Sequence, residues 1–248
     1  MSEKMSLETI WKEFLKDILE NGEKHEKDDG DMLQESLINH CFIPNVLNQF
    51  GAQNITTEMF LDMLKQGVFN IEGYPVKDVA LYDYVTSIDD VSIRANKNFE
   101  TGEDKFTYTY PNRIFNMKDR DSDFMVDQFE LMINRLSQRF CGSSGSNRAV
   151  ANIYSAPRDC DMNDIPCLQI IQATIRNNEL ILHCFFRSND CYGAFPSNML
   201  FLNYLGLKLV DVLRDEYPLL SFKGISYNSS SLHIYKGDLE QAKKVVGL

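Results

Sequence analysis

Cys167 lies in the run Asp164-Ile165-Pro166-Cys167-Leu168-Gln169, and Arg187-Ser188-Asn189-Asp190, Asn198 and His233-Ile234-Tyr235 follow it. A thiolate is the nucleophilic form of cysteine, and a neighbouring guanidinium favours it. Arg187 offers a planar fork for phosphate oxygens and Ser188 adds a hydroxyl donor. The ordered set therefore predicts a nucleophilic sulfur beside an anion site, with further groups able to read a nucleoside. The duller readings stand next to it. A lone buried cysteine is usually a small hydrophobe, the part expected of cysteines 41, 141, 160, 184 and 191. An isolated Arg-Ser reads as a surface salt bridge at a strand end, Asn198 as a helix cap, and His233 beside Tyr235 as a satisfied structural pair. Cys167 differs in its company, because a Cys at one strand start and an Arg at the neighbouring strand end form an activated pair if they meet in space.

The elements that must position these groups follow from periodicity. Leu7, Ile10, Trp11, Phe14, Ile18 and Leu19 recur at helical spacing, with Ser6 as N-cap and Gly22 past the end. Glu23 to Asp31 is charged and Gly-punctuated and reads as an exposed loop. Phe124, Phe129, Met132, Ile133, Leu136 and Phe140 form one apolar helix face ahead of the loop from Cys141 to Ser146. Ala149 to Ser155 and Leu168 to Ile175 are strand-like, and Asn177-Asn178 turns the chain into Leu180 to Phe186. Arg187 falls where that hairpin ends. Apolar residues cover nearly the whole circumference of a helix over Asn198 to Val212, so it is expected to be buried. Ser221 to Ser231 reads as a strand and Asp238 to Val246 as a closing helix. The class is α+β, a sheet with helices around a buried central one, in a single domain over 1–248.

Composition narrows the function. At 248 residues and 44% hydrophobic content the chain can bury a sizeable core. The N-terminus lacks the apolar stretch of a secretory signal, and no run is apolar for the ~18 residues of a membrane span, so a cytoplasmic protein with reduced thiols is expected. A net charge of −11 opposes binding to nucleic acid polymers, whose affinity comes from Lys and Arg neutralising phosphates. His25, His40, His183 and His233 show no metal-ligand spacing.

From about Tyr108 to Val245 the motifs resemble the thymidylate synthase family and its pyrimidine hydroxymethylase relatives, most closely the short archaeal-type thymidylate synthases, which share a stretch like Phe106-Thr107-Tyr108-Thr109-Tyr110. Residues 106–248 would be the catalytic core, and 1–105 a poorly matching N-terminal part. The resemblance implies that Cys167 adds to C6 of a pyrimidine deoxynucleoside monophosphate, whose C5 then attacks the methylene carbon of 5,10-methylenetetrahydrofolate. It implies that Arg187 and Ser188 hold the phosphate, and that Asp190 lies near the pterin. His233 and Tyr235 would hold the sugar 3′-hydroxyl. Ser146-Asn147-Arg148 resembles the family's Ser-Arg-Arg, so Arg148 would reach the phosphate of the partner subunit in a homodimer. Tyr110, with Tyr108 as the competing choice, matches a tyrosine near the reacting C5. Glu72, before Gly73-Tyr74-Pro75, is the candidate for the catalytic Glu, and reads equally as a surface carboxylate.

Asn198 sits eight residues after Asp190, the family's spacing to the residue that reads the ring edge. Asn offers a donor to uracil O4 and an acceptor to N3–H, whereas cytosine is better met by a carboxyl group, which points to dUMP over dCMP. Hydride transfer gives a methyl group, and water gives a hydroxymethyl group. Here the match departs from the family. The only tryptophan is Trp11, Lys236-Gly237-Asp238 replaces the usual Asn-His pair, and little chain follows Tyr235. These departures weaken the exclusion of water that favours hydride transfer and leave hydroxymethylation of dUMP or dCMP and a binder without turnover as alternatives, while the short archaeal-type members share the truncated end and keep methylation of dUMP as the leading expectation.

Overall fold

A long antiparallel ladder organises the computed structural model, which describes residues 6–27, 32–51, 55–86, 108–118, 125–138, 146–161 and 165–248. Helix α1 (Leu7–Asn21) is followed by strands β1 (Glu23–Glu26) and β2 (Met32–Pro44), then by helices α2 (Thr57–Lys65), α3 (Asp78–Thr86) and α4 (Tyr110–Phe115). The small pair β3 (Met117–Lys118) and β4 (Met125–Val126) precedes α5 (Gln128–Leu136), β5 (Ala149–Asn152) and the single-turn α6 (Ala156–Asp159). The hairpin β6 (Leu168–Arg176) and β7 (Glu179–Phe186) leads to β8 (Asn189–Asp190) and helix α7 (Phe195–Leu213). Strand β9 (Ser221–Tyr235) and α8 (Leu239–Val246) close the described chain.

Among the described residues the main sheet runs β1-β2-β9-β7-β6-β5, with β8 also on β9. Strands β7 and β8 pair with β9 in parallel and the other neighbours are antiparallel, so the sheet is mixed. The α+β class and the buried central helix expected from the sequence are what the structure contains. Helix α7 carries fully buried residues around its circumference, among them Met199, Leu202, Asn203 and Leu205. It lies close on the sheet at Gly206, where a Cβ would stand 2.3 Å from the Phe222 ring on β9.

The β6–β7 turn is the expected one, since Asn177 and Asn178 both take positive φ (52° and 60°), the conformation of a two-residue type I′ connection. Ser6 caps α1, accepting from the Thr9 N–H at 3.1 Å. Two expectations need correction. Glu23 to Glu26 is not loop but edge strand β1, all four residues exposed; charged side chains are how an edge strand avoids further pairing, and they erase the alternation that marks a strand. The Asn198–Val212 helix begins three residues earlier, with Ala194 as N-cap and Pro196 in its first turn. Phe124, Phe140 and residues 141–145 lie outside the described residues.

Candidate active site

The hairpin brings the sulfur and the guanidinium together. Cys167 immediately precedes β6 and Arg187 immediately follows β7, so they share one end of the hairpin, and the Arg187 N–H donates to the Cys167 carbonyl at 2.9 Å. The guanidinium folds back along the same loop. Nε donates to the Pro166 carbonyl at 3.2 Å and Nη2 to that of Ile165 at 2.5 Å, while Nη1 donates to Ser188 Oγ at 3.1 Å. The Ser188 hydroxyl in turn donates to Cys167 Sγ at 3.5 Å. One serine oxygen therefore joins the sulfur to the cation. Arg187 is exposed, and of its five N–H groups two remain beyond these bonds for an anion.

Strand β8 docks a second cluster on the first. It pairs with the end of β9, Asn189 opposite Leu232 and Asp190 opposite His233, and the Cys191 N–H donates to the His233 carbonyl at 2.7 Å. The run from Arg187 to Asp190 thus lies alongside His233 and Tyr235, whose rings meet edge to face at 5.0 Å on one side of the strand. Asp190 Oδ1 accepts the Gly193 N–H at 2.9 Å. Asn198 is inside the first turns of α7, its N–H bonded to the Ala194 carbonyl, so it does not cap the helix. Its Nδ2 donates to Asn189 Oδ1 at 2.9 Å, and Asn189 Nδ2 donates to the Tyr227 hydroxyl at 3.2 Å.

Tyr110 opens α4, and its hydroxyl accepts the Leu168 N–H at 3.3 Å, one residue from the sulfur. Tyr108 instead places its ring against the Arg113 guanidinium, 5.4 Å from the centroid. The geometry therefore favours Tyr110 over Tyr108 as the tyrosine beside Cys167. Burial, and then the Cys167 thiol, push the Tyr110 phenol well above its ordinary pKa, so it stays protonated at neutral pH.

Two candidates are not drawn into this cluster. Arg148 is exposed and precedes Ala149, which pairs with Ala173. That is the far end of β6, roughly 20 Å along the strand from Cys167. Glu72 is exposed on a turn whose neighbours Gly73 and Tyr74 are latched to the loop between Asp190 and Asn198: Tyr192 donates to the Gly73 carbonyl at 3.1 Å and Tyr74 to that of Gly193 at 3.2 Å. Among the described residues no hydrogen bond or ion pair joins Glu72 to the cluster. Sequence reasoning missed Lys27, just past β1, whose ammonium stands 5.1 Å from the Tyr235 ring centroid; a lone lysine in a charged run gives no signal of such a placement.

The sequence model of the thymidylate synthase family matches residues 9–247. The chain belongs to this family. Archaeal relatives named "Putative thymidylate synthase" agree. The one from Methanothermobacter thermautotrophicus is 25% identical over 240 residues, 95% of this chain and 93% of the relative. That from Methanocaldococcus jannaschii is 28% identical over 179 residues, 70% and 71% of the two chains. That from Methanococcoides burtonii is 32% identical over 152 residues, 60% and 64%. The family match extends through α1, β1 and β2, well ahead of the motifs that carry the resemblance.

In this thymidylate synthase-family chain Cys160 is exposed, and the remaining described thiols are buried or half-buried. Burial pushes Cys41 up to about 12 and Cys184 and Cys191 well above the usual thiol range. Trp11 is wholly buried and donates Nε1–H to the Cys191 carbonyl at 2.7 Å, tying α1 to the loop after Asp190.

His233 is lowered from 6.5 to about 4, first by burial and then by the positive charges of Lys27, Arg187 and His25. An unfolded chain takes up this proton near pH 6.5 while the folded one refuses it until about 4. Between those values the unfolded state binds more protons, so stability falls as pH falls, by about 3 kcal/mol in all. Denaturant unfolding at pH 7 and pH 4 is expected to show wild type losing more stability than His233→Gln by about that amount; equal losses would mean the imidazole is not held neutral.

Proposed function

We propose that this protein transfers one carbon from 5,10-methylenetetrahydrofolate to C5 of a pyrimidine deoxynucleoside monophosphate, converting dUMP to dTMP as a cytoplasmic homodimer. What supports it most is the serine-bridged pair, Cys167 Sγ and the Arg187 guanidinium both bonded to Ser188 Oγ, with His233 and Tyr235 alongside. Phosphate on Arg187 and Ser188 and the sugar on His233 and Tyr235 fix the ring over the sulfur, and orientation of this kind removes several kcal/mol from a barrier. Cys167 Sγ adds to C6, the C5–C6 π electrons move toward the O4 carbonyl, and C5 becomes nucleophilic. Asn198, anchored through Asn189, keeps an amide edge for O4 and N3–H, and Tyr110 stands beside the sulfur as a protonated phenol, whose hydroxyl orients the water that takes the C5 proton. The folate supplies the carbon and, in the methylating outcome, a hydride. Asp190 offers a carboxylate acceptor suited to pterin N–H groups. Glu72 is assigned as the carboxylate that organises water at the ring, since its neighbours Gly73 and Tyr74 are bonded to Tyr192 and Gly193 between β8 and α7.

Two features support the dimer. Arg148 lies roughly 20 Å along the strand from Cys167, and among the described residues one face of the sheet is open. Leu37 (59% exposed) and Phe185 (40%) stand on it around a concavity of about 620 Å³ that Ile170 and His183 also line. A second copy packed on this face would cover apolar surface and carry Arg148 toward the other site.

Hydroxymethylation of dUMP or dCMP is the second reading, favoured by one observation: Trp11, the only tryptophan, is buried against Cys191 and cannot shield a folate from water. Incubation with dUMP or dCMP and methylenetetrahydrofolate, followed by product mass and dihydrofolate absorbance, separates the readings. Methylation predicts dTMP with one dihydrofolate per turnover. A hydroxymethyl product without dihydrofolate selects the second reading, and binding without any product would leave a nucleotide-binding protein.

A further inference from the structure

Around His233 the hydrogen bonds run in one direction. Glu35 on β2 stands directly across the ladder from His233, and Ser231 lies two residues before it on the same side of β9. The Ser231 hydroxyl donates to Glu35 Oε2, and its oxygen is 3.4 Å from His233 Nδ1. The other carboxylate oxygen, Oε1, is 2.8 Å from Nδ1 of His25 on β1. A carboxylate accepts only, and a serine hydroxyl has one proton. With that proton committed to Glu35, the Ser231 oxygen can only accept from the imidazole. Nδ1 then carries the ring proton and Nε2 is a bare acceptor.

Among the described residues that acceptor has no partner. His233 is 5% exposed, and its Nε2 is buried without a hydrogen bond, a condition that folded proteins avoid unless something else supplies the donor. Tyr235 next to it has the opposite need. The Lys27 ammonium stands 5.1 Å from the Tyr235 ring centroid, and an ammonium only donates, so toward Lys27 the phenol oxygen can act only as an acceptor and its proton is left for another group.

We propose that Glu35 and Ser231 are positioning residues that hold His233 in the Nδ1–H form, so that the sugar subsite selects a ligand hydroxyl that donates to Nε2 while accepting from Tyr235. The ligand half rests on the nucleotide reading above; the tautomer half stands without it. A 3′-hydroxyl meets both demands, whereas a 3′-deoxy sugar meets neither and a 3′-fluoro sugar brings no donor.

Long-range proton–nitrogen NMR of the whole protein, with His233 assigned by comparison with His233→Gln, reads the tautomer directly. Wild type is expected to show the proton on Nδ1. Ser231→Ala removes its acceptor, and Glu35→Gln can donate to Ser231 and so reverse the chain; both are expected to shift the proton to Nε2. Calorimetry with dUMP and 2′,3′-dideoxyuridine monophosphate gives a second readout, which a merely structural role would not move. Wild type is expected to prefer dUMP by roughly tenfold or more, and the folded variants by less than about threefold. An Nε2–H signal in wild type, or an unchanged preference in both variants, overturns the proposal. An Nδ1–H signal in a wild type that binds neither nucleotide bears out the lock and overturns the ligand assignment together with the proposed function.

Discussion

Replacing Cys167 by alanine is expected to reduce tritium release from C5-labelled dUMP by on the order of 10⁴-fold or more, the scale on which enzymes lose activity when their nucleophile is removed. Binding of dUMP should change by less than about tenfold, because the sulfur's bonded neighbour is Ser188 and the groups assigned to phosphate and sugar stay in place. The split between turnover and affinity is what separates a nucleophile from a packing residue. Among the described residues no thiol other than Cys167 is bonded to Ser188 beside the Arg187 guanidinium. Cys184 and Cys191 are buried and held protonated by burial, and Cys41 is pushed up to about 12. Serine at 167 should be nearly as inactive as alanine, since its hydroxyl stays protonated at neutral pH. Release close to the wild-type rate in Cys167→Ala would remove the covalent step from the proposal, and release in neither protein would point to a binder without turnover.

How much of this was legible beforehand depended on how locally each feature is encoded. The β6–β7 hairpin is written into the consecutive residues from Leu168 to Phe186: alternation, then Asn177-Asn178, then alternation again. Its ends fix Cys167 and Arg187 side by side with no long-range information needed, so the central pair of the site could be read from sequence. The buried helix α7 was equally plain from its apolar girth. Strand β2 was not, because its pattern is interrupted by buried polar residues whose side chains bond to backbone carbonyls. Gln34 points inward to donate to the Ile18 carbonyl at 2.7 Å at the end of α1, and Asn39 turns back on the Ser36 carbonyl at 2.7 Å. Without β2 there was no route to Glu35 or to Lys27 beside Tyr235. The helix-cap reading of Asn198 failed for a related reason. Pro196 was free to occupy the first turn, so the helix started early and released the Asn198 side chain toward Asn189. Pairing of β8 with the far end of β9 joins residues more than forty apart, and only the assembled sheet shows it.

The largest loss of stability is expected at a site with no part in the chemistry. Arg113 on α4 (1% exposed) and Asp159 on α6 (0%) form a buried two-pronged ion pair, Nη2 to Oδ1 at 2.6 Å and Nη1 to Oδ2 at 3.1 Å. Asp159 Oδ2 also accepts the Ser155 N–H at 2.8 Å, while Gln128 on α5 bridges the Arg113 and Asn152 carbonyls. Four elements, α4, α5, β5 and α6, thus meet on one polar knot. Among the described residues Arg113 Nε is buried without a partner. Arg113→Met should cost about 3–5 kcal/mol in denaturant unfolding, because it strands a carboxylate in the interior. Removing both charges, as in Arg113→Met with Asp159→Leu, should restore most of that loss, since two desolvated ions can be replaced by packed apolar groups at little net cost. The same knot anchors the helix whose first residue is Tyr110, and the folded single variant should therefore show slower tritium release as the Tyr110 hydroxyl loosens from Leu168. A loss below about 1 kcal/mol for Arg113→Met, the scale of a solvated pair, would mean that water reaches Asp159 and that α4 is held by its apolar contacts alone.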